Sequence, residues 1–246
     1  SYVKAAALGG IVGYQTAAIS GCTNKGALSL SAKDISAKSE IEGVTSLPTL
    51  GGIIGLSNNG FSADGCNNYG KITVNYSAAA PAANMNRNQH GGIVGSPVGD
   101  VSNCNNYGDL EITLKSASGS AIADYEFILC IGGIGGGDYI NTSSSGVISN
   151  TNYTNCVNEG NIKVYSDASK ANSTVGGIVG WPGQEKATDK VTKNCTNKGN
   201  ITISGLLKGR FAGIQGGTGA MDGCVNEGKI TIESADAASA VGSLCG

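Results

Sequence analysis

The sequence predicts an all-β fold: a right-handed parallel β-helix (β-solenoid) of about six to seven coils, with variable loop insertions. Three observations predict it. The pattern Cys-x-Asn-x-Gly-x-[Ile/Leu]-x-[Val/Ile/Leu] occurs six times. A second pattern, Gly-Gly-Ile-Val-Gly or a relative of it, alternates with the first. The third is composition: 40 glycines against three phenylalanines and one tryptophan in 246 residues. Such a chain suits stacked short strands joined by tight turns, not a core of large side chains. One repeat cannot bury its apolar face alone, so tandem copies stack.

The Cys motif reads Cys22-Asn24-Gly26-Leu28-Leu30, Cys66-Asn68-Gly70-Ile72-Val74 and Cys104-Asn106-Gly108-Leu110-Ile112. It continues as Cys156-Asn158-Gly160-Ile162-Val164, Cys195-Asn197-Gly199-Ile201-Ile203 and Cys224-Asn226-Gly228-Ile230-Ile232. All named positions share one parity, while Lys71 and Thr73, or Asp109 and Glu111, lie between them. Period-two alternation marks a half-buried strand, so the aliphatic pair faces the core and the intervening residues face water. Asn-x-Gly is read as a corner, because both residues favour bends. The repeated inward Asn is expected to stack on its equivalents and bond along the column, since a buried amide must find partners.

Cys22, Cys66, Cys104, Cys156, Cys195 and Cys224 occupy one repeat position. Equivalent residues in stacked parallel coils lie about 4.8 Å apart. In-register Cβ atoms stay about as far apart, beyond the usual limit of about 4.5 Å for a disulfide. Buried free thiols are therefore favoured and pairing is the alternative. Cys130 and Cys245 lie outside the ladder and could be either.

The glycine motif begins at Gly9, Gly51, Gly91, Gly132, Gly176, Ala212 and Gly242. Its third position is always a branched aliphatic residue, from Ile11 to Leu244, and is expected to face the core. The fourth admits Gly135 and Gln215 and is expected to be only partly covered. Successive starts lie 30 to 44 residues apart, with the variation in inserted loops such as 31–50 and 140–153. Each coil is expected to carry about three strands. Segments 31–42 and 116–130 leave room for short helices.

The repeat spans residues 1–246 as a single solenoid domain. The chain starts almost at one glycine motif and stops inside another. Open coil ends normally need caps, so the expectation is a piece of a longer exported chain. A net charge of −2 offers no electrostatic pull toward nucleic acid or acidic membranes.

Gly91–Gly95 with Asn103–Ile112, and Gly176–Gly180 with Asn194–Ile203, resemble the GLUG-type repeats of bacterial surface proteins. The resemblance covers essentially the whole chain. It implies a β-solenoid on the cell surface or outside the cell, of the adhesin-like kind found in Bacteroidetes and associated with the outer membrane. No catalytic residue, metal or cofactor comes with it. The implied function is a non-catalytic adhesin or spacer, monomeric, binding a surface glycan or protein. Membrane attachment would come only through an anchor outside this chain. The alternative is a polysaccharide lyase or hydrolase, by analogy with other parallel β-helices.

Several residues are weighed as sites. Asp109 and Glu111 share a strand, with Lys71 and Lys163 in adjacent coils. The expected arrangement is a ladder of charge pairs, Lys71 over Asp109 and Glu111 over Lys163. Tyr69 and Tyr107 occupy the Asn-x-Gly corner, as a stacked pair or a sugar platform. Trp181 and Tyr14 follow glycine motifs at equivalent positions, as turn residues covering a corner or as exposed rings for sugars. His90 is the only histidine, which excludes a multi-histidine zinc site; beside Cys104 it carries little catalytic weight. Thr73, Thr202 and Thr231, with Thr113 one step off, suggest an ice-binding array interrupted by Lys, Glu and Ser. Asn152-Tyr153-Thr154 and Asn172-Ser173-Thr174 are chance sequons if the source is bacterial. A concave face lined by loops 31–50, 75–90 and 116–130 would make a site plausible.

Overall fold

A computed structural model describes residues 7–32, 48–57, 60–78, 88–116, 125–137, 151–167, 171–182, 191–217, 219–234 and 240–242. The described residues form strands and turns with no helix, and every strand pair is parallel. The chain is a β-solenoid of stacked coils, the fold class that the repeats predict. Strand Tyr125–Gly132 replaces the helix allowed within 116–130. Segments 33–47 and 117–124 lie outside the described residues.

A full coil carries five short strands where three were expected, and their stacks make five sheets. The first sheet contains Thr49–Gly51, Asn88–Gly91, Tyr125–Gly132, Ala171–Gly176 and Lys208–Ala212, with Ala7–Gly9 and Ala240–Gly242 at its edges. The second runs from Val12–Gln15 through Ile54–Ser57, Val94–Ser96 and Gly135–Gly137 to Val179–Trp181. The third and fourth consist of strands of two or three residues, such as Val101–Ser102 and Asn105–Asn106. The fifth holds the longest rungs of the Cys motif, Ile72–Ala78 and Leu110–Ser116, between Leu28–Ala32 and Ile162–Ser166, then Ile201–Gly205 and Ile230–Ser234.

Extra corners account for the extra strands. One precedes each ladder cysteine, where Gly21, Gly65, Asn103, Asn155, Asn194 and Gly223 all have φ between 52° and 63°. Only Gly and Asn adopt that left-handed conformation readily, and only they occur there. Another corner is the glycine motif, which folds the chain back on itself. A Cβ on Gly51 would lie 2.0 Å from Ile54 O and 2.7 Å from Ile93 O. Rungs stay bonded through this arch: Ile53 N and Ile54 N both donate to Ile93 O, at 2.9 and 3.0 Å.

The arch also corrects the reading of its fourth position. Ile54, Val94, Val179 and Gln215 are fully buried, as are the third-position residues Ile53, Ile93, Ile134, Ile178 and Ile214. Consecutive side chains both reach the interior because the backbone turns between them. Gly135 is the compensated member of that column. A Cβ there would meet the Tyr153 hydroxyl at 2.2 Å, and Tyr153 occupies the third-sheet column of Ala63 and Val101. The large ring fills the space that glycine leaves.

The interior has two aliphatic compartments. One lies between the first and fifth sheets and includes Leu50, Ile72, Val74, Leu110, Ile131 and Phe211. The other is enclosed by the second, third and fourth sheets and includes Ile53, Ile93, Val101, Tyr153 and the buried ladder cysteines. Between them runs the asparagine column. Asn24 donates to Asn68, Asn68 to Asn106, Asn106 to Asn158, Asn158 to Asn197 and Asn197 to Asn226, each 2.8 Å from Nδ2 to Oδ1. Asn68 illustrates full satisfaction. Its Nδ2 also donates to Gly70 O, and its Oδ1 accepts from Gly70 N and Asn24 Nδ2. Opposite this column stands the second glycine of each arch, with no side chain in the way.

Candidate functional site

The repeated residues are core. Cys66, Cys104, Cys156 and Cys195 are buried and free, and Cys130 is buried; Cys22 and Cys224 at the two ends are free and half-buried. Cys245 lies outside the described residues. Each ladder sulfur turns back on the carbonyl two residues before it, as Cys104 Sγ does on Ser102 O at 3.1 Å. Contact with the Cys104 sulfur, joined at Cys156 by that of Cys195, and then burial hold the Cys66 and Cys156 thiols well above the usual value. Such thiols are poor nucleophiles.

His90 takes the place of an aliphatic residue in the first sheet, in register with Leu50 and Ile131. It is fully buried, and its Nε2 lies 2.9 Å from the hydroxyl of Tyr76, another core residue. Burial lowers the imidazole pKa to about 3 and raises the tyrosine's. The partner of this histidine is therefore Tyr76 and not Cys104, and the pair bridges the first and fifth sheets inside the core.

Trp181 is only 6 % exposed, which overturns its reading as an exposed ring for sugars. The indole packs against Cys130, with the Arg210 guanidinium 5.8 Å from the ring centroid. Gly217 gives it room, since a Cβ there would touch the ring at 2.9 Å. The side chain turns inward because the arch brings the first and second sheets face to face. Tyr14 stands at the start of the same column, in register with Leu56, and is half-buried.

Tyr69 and Tyr107 are 51 % and 38 % exposed and lie parallel, with centroids 4.6 Å apart and planes at 11°. Each ring gives one face to the other. Burial, then the neighbouring Tyr69, raises the Tyr107 hydroxyl pKa. The next two positions of this corner carry an ion pair, Lys198 Nζ to Glu159 Oε1 at 2.9 Å. A column of stacked rings and paired charges is what parallel in-register side chains form.

Asp109 and Glu111 are also engaged. Glu111 lies 2.7 Å from Lys71 Nζ and 3.9 Å from Lys163 Nζ. Lys71 thus reaches diagonally past Asp109, the partner expected for it. Asp109 Oδ1 instead accepts from Asn161 N at 2.8 Å and Asn161 Nδ2 at 3.0 Å. The backbone donor at the corner is the nearer claimant, so the lysine turns to the next carboxylate. Register sets Thr73, Glu111, Lys163, Thr202 and Thr231 in one column, with Thr113 in the next. Charged residues therefore divide the threonines. Asn152 is bound into a corner: it donates through N and Nδ2 to Asp100 Oδ1, and its Oδ1 accepts from Val191 N. Asn172 stands in strand Ala171–Gly176.

An open groove of about 720 Å³ lies over the fifth sheet, near the ends of its strands. Ser31, Asn75, Thr113 and Tyr165 form one outward column in consecutive coils. Ser77 and Lys115 form the next, Ala32 and Tyr76 complete the lining, and Tyr165 is 39 % exposed. The size falls within the range of about 300–1,000 Å³ usual for small-molecule sites. Apart from Thr113, weighed as part of a threonine array, none of these groove residues stands out in the sequence, because each is one residue in an alternating strand. The only available signal was their shared parity with Lys71 and Thr73. Of the loops named as a candidate concave face, segments 33–47, 79–87 and 117–124 lie outside the described residues.

Among the described residues no cluster of three or more His, Cys, Asp or Glu side chains has metal-binding geometry. No family model, curated protein or solved structure matches the chain.

Proposed function

We propose that this chain is a non-catalytic binding solenoid of a bacterial cell surface, an adhesin or spacer built of GLUG-type repeats. The motif segments Gly91–Gly95 with Asn103–Ile112 support the repeat assignment. One observation carries the functional reading. The repeated Cys and Asn side chains are spent on the core, while the fifth sheet presents an open groove of hydroxyl and amide side chains ending in an exposed tyrosine. A surface rich in neutral hydrogen-bonding groups beside an aromatic ring suits reversible binding of a polar ligand such as a glycan or a protein loop. Asp109 and Glu111, the carboxylates best placed for acid–base work, are held by Asn161 and by two lysines. A net charge of −2 supports no nucleic-acid partner.

A glycan array combined with a lyase and hydrolase screen tests the reading. Saturable binding without turnover is expected. Depolymerisation of a uronic-acid polymer, abolished by Asp109→Ala or Glu111→Ala, would overturn it in favour of an enzyme.

A further inference from the structure

The geometry points to the groove over the fifth sheet as a site for a saccharide bearing a carboxylate, a reading that rests on the surface-binding function proposed above. Three properties of the groove select this ligand class. First, Ser31, Asn75 and Thr113 stand on successive rungs of one column, about 4.8 Å apart. They present hydroxyl and amide groups in a row along the solenoid axis, where each can donate or accept. A chain of sugar hydroxyls laid along the axis meets one such group per coil.

Second, Tyr165 ends that row. Its ring leans on Gly205 of the following coil, where a Cβ would lie 3.2 Å from Tyr165 Cε2. The absent side chain seats the ring at the end of the groove while 39 % of the residue stays exposed. An aromatic side chain with a supported edge and an open surface is an apolar platform for the C–H face of a pyranose.

Third, Lys115 is the only charged residue among the described residues that line the groove. Among the described residues no ion pair engages it. Glu111, in the neighbouring column, is already between Lys71 and Lys163. An unpaired ammonium beside neutral acceptors and donors favours a ligand that brings an anion. The row of hydroxyls and the ring then orient the sugar, and Lys115 receives its carboxylate.

The test is titration calorimetry of the whole chain with uronic-acid, sialylated and neutral oligosaccharides. The variants are Lys115→Gln, Tyr165→Ala, Tyr165→Phe and, as a control on the same sheet outside the groove, Lys229→Gln. All three residues are exposed, so unchanged melting midpoints are expected and are measured alongside. Support consists of acidic saccharides binding tighter than neutral ones, with Lys115→Gln lowering their affinity about tenfold and erasing the preference. Tyr165→Ala should abolish binding, while Tyr165→Phe and Lys229→Gln keep it. Equal binding of neutral sugars, or acidic binding that survives both Lys115→Gln and Tyr165→Ala, would overturn this site and leave the surface-binding function standing. Absence of all saccharide binding overturns the ligand class, and a protein partner then keeps the broader reading. Turnover of the oligosaccharide overturns both.

Discussion

A Cβ placed on Gly92 would lie 2.4 Å from Asn106 Cγ. The second glycine of the arch and the ladder asparagine touch across the coil, and this contact divides the interior in two. The same Cβ would sit 2.0 Å from Gly133 O, so neither a rotamer change nor a backbone shift relieves it. Gly92→Ala is expected to destabilise the solenoid by about 3 kcal/mol or more, measured by denaturant unfolding.

Removing the asparagine gives a second expectation. Asn106→Leu strands three groups at once: Asn68 Nδ2 loses one of its acceptors, Asn158 Oδ1 loses a donor, and Gly108 O loses its side-chain donor. The cost should be at least about 3 kcal/mol. A variant that kept the parental midpoint would show that the ladder contributes nothing net.

Gly135 and Tyr153 should behave as one unit. Gly135→Val drives a side chain into the Tyr153 ring and should cost about 1–3 kcal/mol. Tyr153→Val alone should leave a cavity and cost about 2–4 kcal/mol. The double variant recreates the Val94–Val101 arrangement of the preceding coil, so its loss should be far less than the sum. Additive losses in a double-mutant cycle would contradict the packing described.

His90 makes stability depend on pH. Its imidazole is neutral in the folded core with a pKa of about 3, against about 6.5 in an unfolded chain. Below pH 6.5 the unfolded state binds the proton and the folded state does not. The stabilising contribution is therefore full above pH 6.5 and is lost as pH falls toward 3, by about 2–3 kcal/mol at pH 4.5. Melting curves between pH 7 and 4 should show this slope. Combining His90→Leu with Tyr76→Phe should flatten that part of it.

The thiols offer a test of core accessibility. In the native protein Cys22 and Cys224 should react with a thiol reagent first, and the buried Cys66, Cys104, Cys130, Cys156 and Cys195 only after unfolding. At least seven thiols should appear in denaturant without reductant. A lower count would mean that ladder neighbours are bridged.

What the sequence determined by itself was local and periodic. Parity placed Ile72 and Val74 inward and Lys71 and Thr73 outward, and repetition stacked Asn68 beneath Asn106. Each of these needs only the two-residue period of a strand and its in-register copy in the next coil. The same signals made Tyr69 and Tyr107 legible as a stacked pair. Tertiary structure decided everything that depends on how one coil turns. The left-handed corners at Gly65 and Asn103 split the coil into five strands. The arch buried the fourth motif position and drew Trp181 inward against Cys130. Tyr76 and His90 met although they stand fourteen positions apart in the chain. Tyr165, Lys115 and Asn75 came to line one groove. A one-dimensional pattern carries the direction of each side chain relative to its own strand. It does not carry the angles between strands, and those angles choose which outward side chains share a groove and which face a second wall.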